Sequence, residues 1–191
     1  MTVRGTTDYF VTKDAVKLDF SVTEAYYETN TVQIQGTRRT VEGKTLSLNI
    51  SGWSNTGMTS GLSREFTEDG YYTITITATD KAGNSKSQTV HFTIDTTPPV
   101  IGDLSEYDGK YLAGFQIKER MKDLIVELSV PTVRMTLNGE PYDGSEITKD
   151  GKYTLMIQVE DEVGLTASRT IEFVIDTVAP KIIFAGAENN R

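Results

Sequence analysis

No cysteine occurs in the 191 residues, so a disulfide framework, a thiolate-bound zinc and a thiol nucleophile are all excluded. The single histidine, His91, rules out a histidine pair for zinc, and no Ser/His/Asp set is suggested around it. No apolar run reaches the length of a membrane-spanning helix, and Met1–Phe10 lacks the charged-then-apolar pattern of a signal peptide. Positive charge is also scarce. Nineteen basic residues against 27 acidic ones leave a net charge of −8, which gives no electrostatic footprint for nucleic acid or an anionic membrane. No glycine-rich phosphate loop precedes a helix, and the carboxylates cluster in turns rather than in a cleft suited to glycoside hydrolysis. The composition therefore predicts a chain that is not an enzyme, needs no cofactor, and inserts into no membrane.

What the sequence does contain is itself, twice. Asp69–Pro99 and Asp150–Pro180, offset by 81 positions, share 14 identities in 31. Unrelated windows of ordinary composition would share about 2. A fixed period of this length marks a repeated structural unit. The predicted division is residues 1–97, residues 98–180, and a remainder, 181–191, whose text "KIIFAGAENNR" starts a further repeat or forms a tail.

Within each copy the apolar residues fall on every second position. Tyr72, Ile74, Ile76 and Ala78 alternate with four threonines, and Tyr153, Leu155, Ile157 and Val159 repeat the pattern. Val90, Phe92 and Ile94 match Ile171, Phe173 and Ile175 in the next segment. Period two predicts strands with one face on a core. The linkers "DKAGN" and "DEVGL" supply an Asp to accept backbone N–H bonds and a Gly for positive φ, so each copy holds a β-hairpin. Upstream strands are predicted at Val16–Thr23, Thr31–Gln35, Thr45–Ile50 and Leu62–Thr67, and Asn138-Gly139 marks a two-residue turn. For Ile117–Val130 the spacing of Ile117, Met121, Leu124, Ile125 and Leu128 suits a helix. "LIVELSV" ahead of Pro131 suits a buried strand, which is the preferred reading. His91 is predicted to face solvent.

The order Gly-x-Tyr-x-apolar in "EDGYYTI" and "KDGKYTL" resembles the corner of immunoglobulin-type sandwiches where a Tyr hydroxyl bonds back to the preceding turn, a role that falls here to Tyr72 and Tyr153. Together, "DGYYTITITATDKAGN", "FTIDTTPP" and their echoes resemble the bacterial immunoglobulin-like repeats of large cell-surface proteins. That resemblance implies an all-β fold of two tandem immunoglobulin-like β-sandwich domains. It also implies an extracellular setting, at a bacterial surface or secreted, in a stalk or spacer that presents neighbouring domains of the parent chain. The alternative is an adhesin or carbohydrate-binding module whose first domain recognises a glycan or a host surface protein. Its candidate ligand-binding residues are Trp53 in "GWSNTG" and Tyr26 and Tyr27 in "EAYYET", because aromatic faces stack on sugar rings. In such a sandwich Asp95, at the end of the last strand, should approach the turn carrying Asp161 and Glu162. Oxygen ligands from both could hold calcium. The expectation is instead that no metal binds and that both Asp residues cap local turns.

Overall fold

A computed structural model describes residues 2–4, 8–24, 31–54 and 59–183. The chain gathers into two compact units. The first comprises residues 1–101 with 125–133 and 158–167; the second comprises 102–124, 134–157 and 168–191.

Eight strands build the first copy: β1 (Thr2–Arg4), β2 (Phe10–Thr12), β3 (Val16–Thr23), β4 (Thr31–Arg39), β5 (Thr45–Leu48), β6 (Thr59–Phe66), β7 (Gly70–Thr79) and β8 (Ser85–Ile94). They form one sheet of order β1-β3-β6 and another of order β2-β8-β7-β4-β5. The alternation read from the sequence decides which side chains meet between them. Val16, Leu18, Phe20 and Val22 of β3 are buried, as are Tyr72, Ile74 and Ile76 of β7 and Val90, Phe92 and Ile94 of β8. Phe92 lies at the centre, its ring 4.7 Å from Tyr72, 5.6 Å from Phe66 and 5.9 Å from Phe10. On the outer face of the β7–β8 hairpin, hydroxyls pair across the strands: Thr75 with Thr89, Thr77 with Ser87 and Thr79 with Ser85, at 2.7–2.8 Å.

The second copy uses β9 (Val100–Ile101), β10 (Lys110–Leu112), β11 (Ile125–Val126), β12 (Thr132–Leu137), β13 (Glu140–Pro141), β14 (Gly151–Glu160) and β15 (Thr166–Ile175). Its large sheet, β10-β15-β14-β12-β13, repeats the order of the first position for position. In both copies the short edge strand runs parallel to the last strand, β2 to β8 and β10 to β15. β9 pairs antiparallel with β11 as β1 does with β3. Phe115 stacks on Phe173 at 4.4 Å within a core that includes Leu104, Ile117, Leu155, Ile157 and Ile171. Asn138 and Gly139 both take positive φ, 52° and 87°, which makes the two-residue turn between β12 and β13. The fold is thus all-β, two tandem immunoglobulin-like β-sandwiches.

Both corners are tied alike. The Tyr72 hydroxyl donates to the Glu68 carbonyl at 2.6 Å, and Tyr153 donates to the Lys149 carbonyl at 2.8 Å. Asp69 accepts from the Thr96 N–H and hydroxyl, and Asp150 does the same for Thr177. A hydrogen bond of this kind contributes about 1 kcal/mol, and an abandoned carbonyl costs more where water cannot replace the donor. Tyr72 is 2% exposed and Tyr153 only half-buried. Tyr72→Phe should therefore lower stability in urea titrations by about 1–2 kcal/mol, and Tyr153→Phe by less. Equal losses would show that corner burial does not set the cost.

Two expectations need correction. Ile117–Val130 is not a continuous strand. Lys118–Arg120 form a 3-10 turn that runs into α1 (Met121–Leu124), and only Ile125–Val126 are extended. The helical spacing prevails because it turns both Ile117 and Leu124, seven positions apart, into the core. His91 does not face open solvent either. Its ring stacks on Tyr9 at 4.5 Å, and Nδ1 lies 3.0 Å from Asp8, leaving the side chain 20% exposed. Tyr9 reaches it from a left-handed backbone, φ 59°, where the second copy has Gly109 at φ 70°. Stacking offsets a conformation that an aromatic residue rarely adopts.

Candidate metal centre

Three carboxylates from separate segments meet in the first unit. Asp95 is the residue after β8. Its N–H donates to the Thr12 carbonyl at 2.9 Å, which continues the parallel pairing with β2. Thr96 is then held by Asp69, so the chain direction at Asp95 is fixed from both sides. Glu127 follows β11. Its Oε1 accepts the N–H groups of Leu128 and Ser129, which curls the backbone around its own carboxylate. Asp161 follows β14 and opens the turn to β15. Its Oδ1 accepts from Val163 N–H at 2.9 Å and Leu165 N–H at 2.8 Å.

One oxygen from each of the three lies within 4.8 Å of the others. Asp95 is fully buried and Asp161 is 6% exposed. Both oxygens of Asp95 and the Oδ2 of Asp161 have no hydrogen-bond partner. A buried carboxylate without a partner carries a desolvation cost of several kcal/mol in general. The expectation that both Asp residues cap turns therefore holds for Asp161 Oδ1 and fails for Asp95. Asp95 is sealed inside, and the neighbouring Glu127 carboxyl, when it holds its proton, is the group beside it that can donate to it.

The repeat shows what releases the Asp161 oxygen. In the first copy Asp80 spends both oxygens on Asn84, Oδ1 on its backbone N–H at 2.9 Å and Oδ2 on its side-chain amide at 2.8 Å. The second copy has Leu165 at that position, which keeps the backbone donor and lacks the amide. Asp95 likewise differs from its counterpart: Asp176 is exposed and accepts Val178 N–H at 3.1 Å.

Burial, together with the adjacent Asp95 carboxylate, pushes Glu127 up to about 7, against the pull of its two backbone donors. The proton is bound more tightly in the folded chain than in the unfolded one, where the group titrates near 4.5. Its contribution to stability is full below that value and disappears as pH rises through about 7. In chelator, the urea midpoint should fall between pH 5 and pH 8, and Glu127→Gln should flatten that fall. A profile unchanged by the substitution would remove Glu127 as its source.

Glu162, which the sequence placed beside Asp161, is exposed; its N–H donates to Ser129 Oγ at 3.3 Å. Glu127 takes the position expected of it. The only sequence signal for Glu127 is an acid set inside the apolar run "LIVELSV". Trp53 lies half-buried against the first core, and Tyr26 and Tyr27 fall outside the described residues.

The family model for a bacterial Ig-like domain matches residues 6–96. No curated protein matches the sequence. Among solved structures, the fibronectin(III)-like modules of Clostridium thermocellum CbhA are 9% identical, with 97% of this chain and 99% of that chain covered and a TM-score of 0.31. Tandem Ig repeats of Dlar are 15% identical over 88% of this chain and 93% of that one, with a TM-score of 0.29. A Bacteroides ovatus mixed-linkage glucan utilization locus protein, SGBP-B, solved with a mixed-linkage heptasaccharide, is 12% identical. It covers 91% of this chain and 44% of its own, with a TM-score of 0.26.

Proposed function

We propose, starting from the match of residues 6–96 to the bacterial Ig-like domain model, that the chain is a non-catalytic structural module of a bacterial surface or secreted protein. It acts as a spacer that presents neighbouring domains of its parent. The observation that carries this reading is the repetition of one construction. Strand order, tyrosine corner and Asp–Thr tie recur in both copies, as a chain that needs length and regularity requires. Trp53 supports the same reading, because its ring packs on the core and so presents less face to a sugar.

A glycan array and a panel of host-cell surfaces, probed with the whole chain, test the reading. A spacer gives no saturable binding on either. Specific glycan binding that disappears in Trp53→Ala would replace it with the adhesin reading, in which Trp53, Tyr26 and Tyr27 contact the ligand.

A further inference from the structure

We propose that Asp95, Glu127 and Asp161 form a binding site for one calcium-class divalent cation. Three carboxylate oxygens within 4.8 Å of one another come from the end of β8, the segment after β11 and the turn after β14. Acidic side chains often cluster without consequence, but on a surface, where water solvates each of them. Here Asp95 is fully buried, and outside the carboxylate cluster itself neither of its oxygens has a donor. The Oδ2 of Asp161 is in the same condition. A cation among them supplies a partner to each of the buried carboxylates at once.

The two copies act as an internal control. Asp80, half-buried, and Asp176, exposed, the counterparts of Asp161 and Asp95, have ordinary partners. Buried carboxylate oxygens without a partner occur only in Asp95 and Asp161, among the described residues. The replacement of an Asn by Leu165 frees one of them.

Donor chemistry selects the ion. The three side chains offer only oxygen, which favours a hard cation over zinc or copper. Magnesium is usually held by one or two carboxylates together with waters or phosphates in strict octahedral geometry. Calcium accepts six to eight oxygens in irregular arrangements, which suits carboxylates already committed on one side to backbone donors, as Glu127 Oε1 and Asp161 Oδ1 are. The bound ion fastens segments 125–133 and 158–167 to the end of β8 within the first unit. This assignment is independent of the spacer reading, since a chain that bound glycans would keep the site.

The test is calorimetric titration of the chelator-stripped chain with calcium chloride, paired with thermal melts. The wild type should bind one ion per chain, and its melting temperature should rise with calcium concentration. Asp95→Asn should weaken binding by more than about 100-fold, the upper range for loss of even a supporting partner of a ligand. In chelator the same variant should melt above the wild type, because an unpaired buried charge is gone, and calcium should reverse that order. Should Asp95→Asn not fold, Glu127→Gln, at a less buried position, must also weaken calcium binding. Magnesium chloride should produce a much smaller shift. No binding at about 10 mM calcium, above the range of extracellular calcium modules, overturns the proposal. So does affinity that is unchanged in Glu127→Gln, or a response to magnesium equal to that to calcium.

Discussion

Phe92→Ala is expected to cost about 3–5 kcal/mol, and Phe173→Ala about the same, when each is measured by chemical denaturation. Phe92 is fully buried and touches three other rings, Phe10, Phe66 and Tyr72, drawn from both sheets. Removing it opens a cavity that none of these rings can fill without leaving its own contacts. Phe173 has the same position in the second copy, stacked on Phe115 and within 5.7 Å of Tyr153. A loss below about 1.5 kcal/mol at either position, typical of swaps that conserve volume, would mean that the site collapses readily and is not a packing centre.

Gly61→Ala is the second large effect, and it acts through the backbone. Gly61 lies on β6 opposite Ser21 of β3. A Cβ there would stand 2.8 Å from the Phe20 carbonyl oxygen. Flexible side chains can retreat from such a contact, but a carbonyl in the middle strand of a sheet cannot move without disturbing its ladder. The expected destabilisation is about 1–3 kcal/mol, with faster amide exchange along β3 and β6. Exchange rates equal to those of the wild type would place the strain elsewhere. At Gly36 the two nearest neighbours are instead the ends of the Ile74 and Ile50 side chains, at 2.8 and 2.9 Å, with Leu48 Cβ at 3.3 Å.

The sandwich was legible where one face of a strand meets the core. β7, β8, β14 and β15 bury the predicted alternating residues because burial on one side writes period two into the chain, although Thr93 is buried as well. The tyrosine corners were legible for a similar reason, since Gly-x-Tyr is a local geometry. Features set by distant segments were not. Glu127 joins Asp95 and Asp161 through pairing that no spacing encodes, and Glu162 is closer in sequence to Asp161 yet points elsewhere. His91 sits on the outward face as alternation requires, but Tyr9 covers it from a backbone conformation the sequence would assign to glycine. In Lys118–Leu124 two periods competed, and the pair of buried residues, Ile117 and Leu124, decided for helix.

The parallel edge strands have a mechanical consequence. β2 and β8 run the same way, and backbone bonds flank their pairing at Tyr9–His91, 2.8 Å, and Asp95–Thr12, 2.9 Å. Gly109–Glu172, 2.7 Å, and Asp176–Leu112, 3.0 Å, do the same for β10 and β15. Tension drawn from the start of β2 and the end of β8 runs along both strands in opposite senses. Their hydrogen bonds are then loaded in shear, all together, instead of being peeled open one after another. The parallel edge strand and the last strand of each copy thus form a clasp placed to resist stretching.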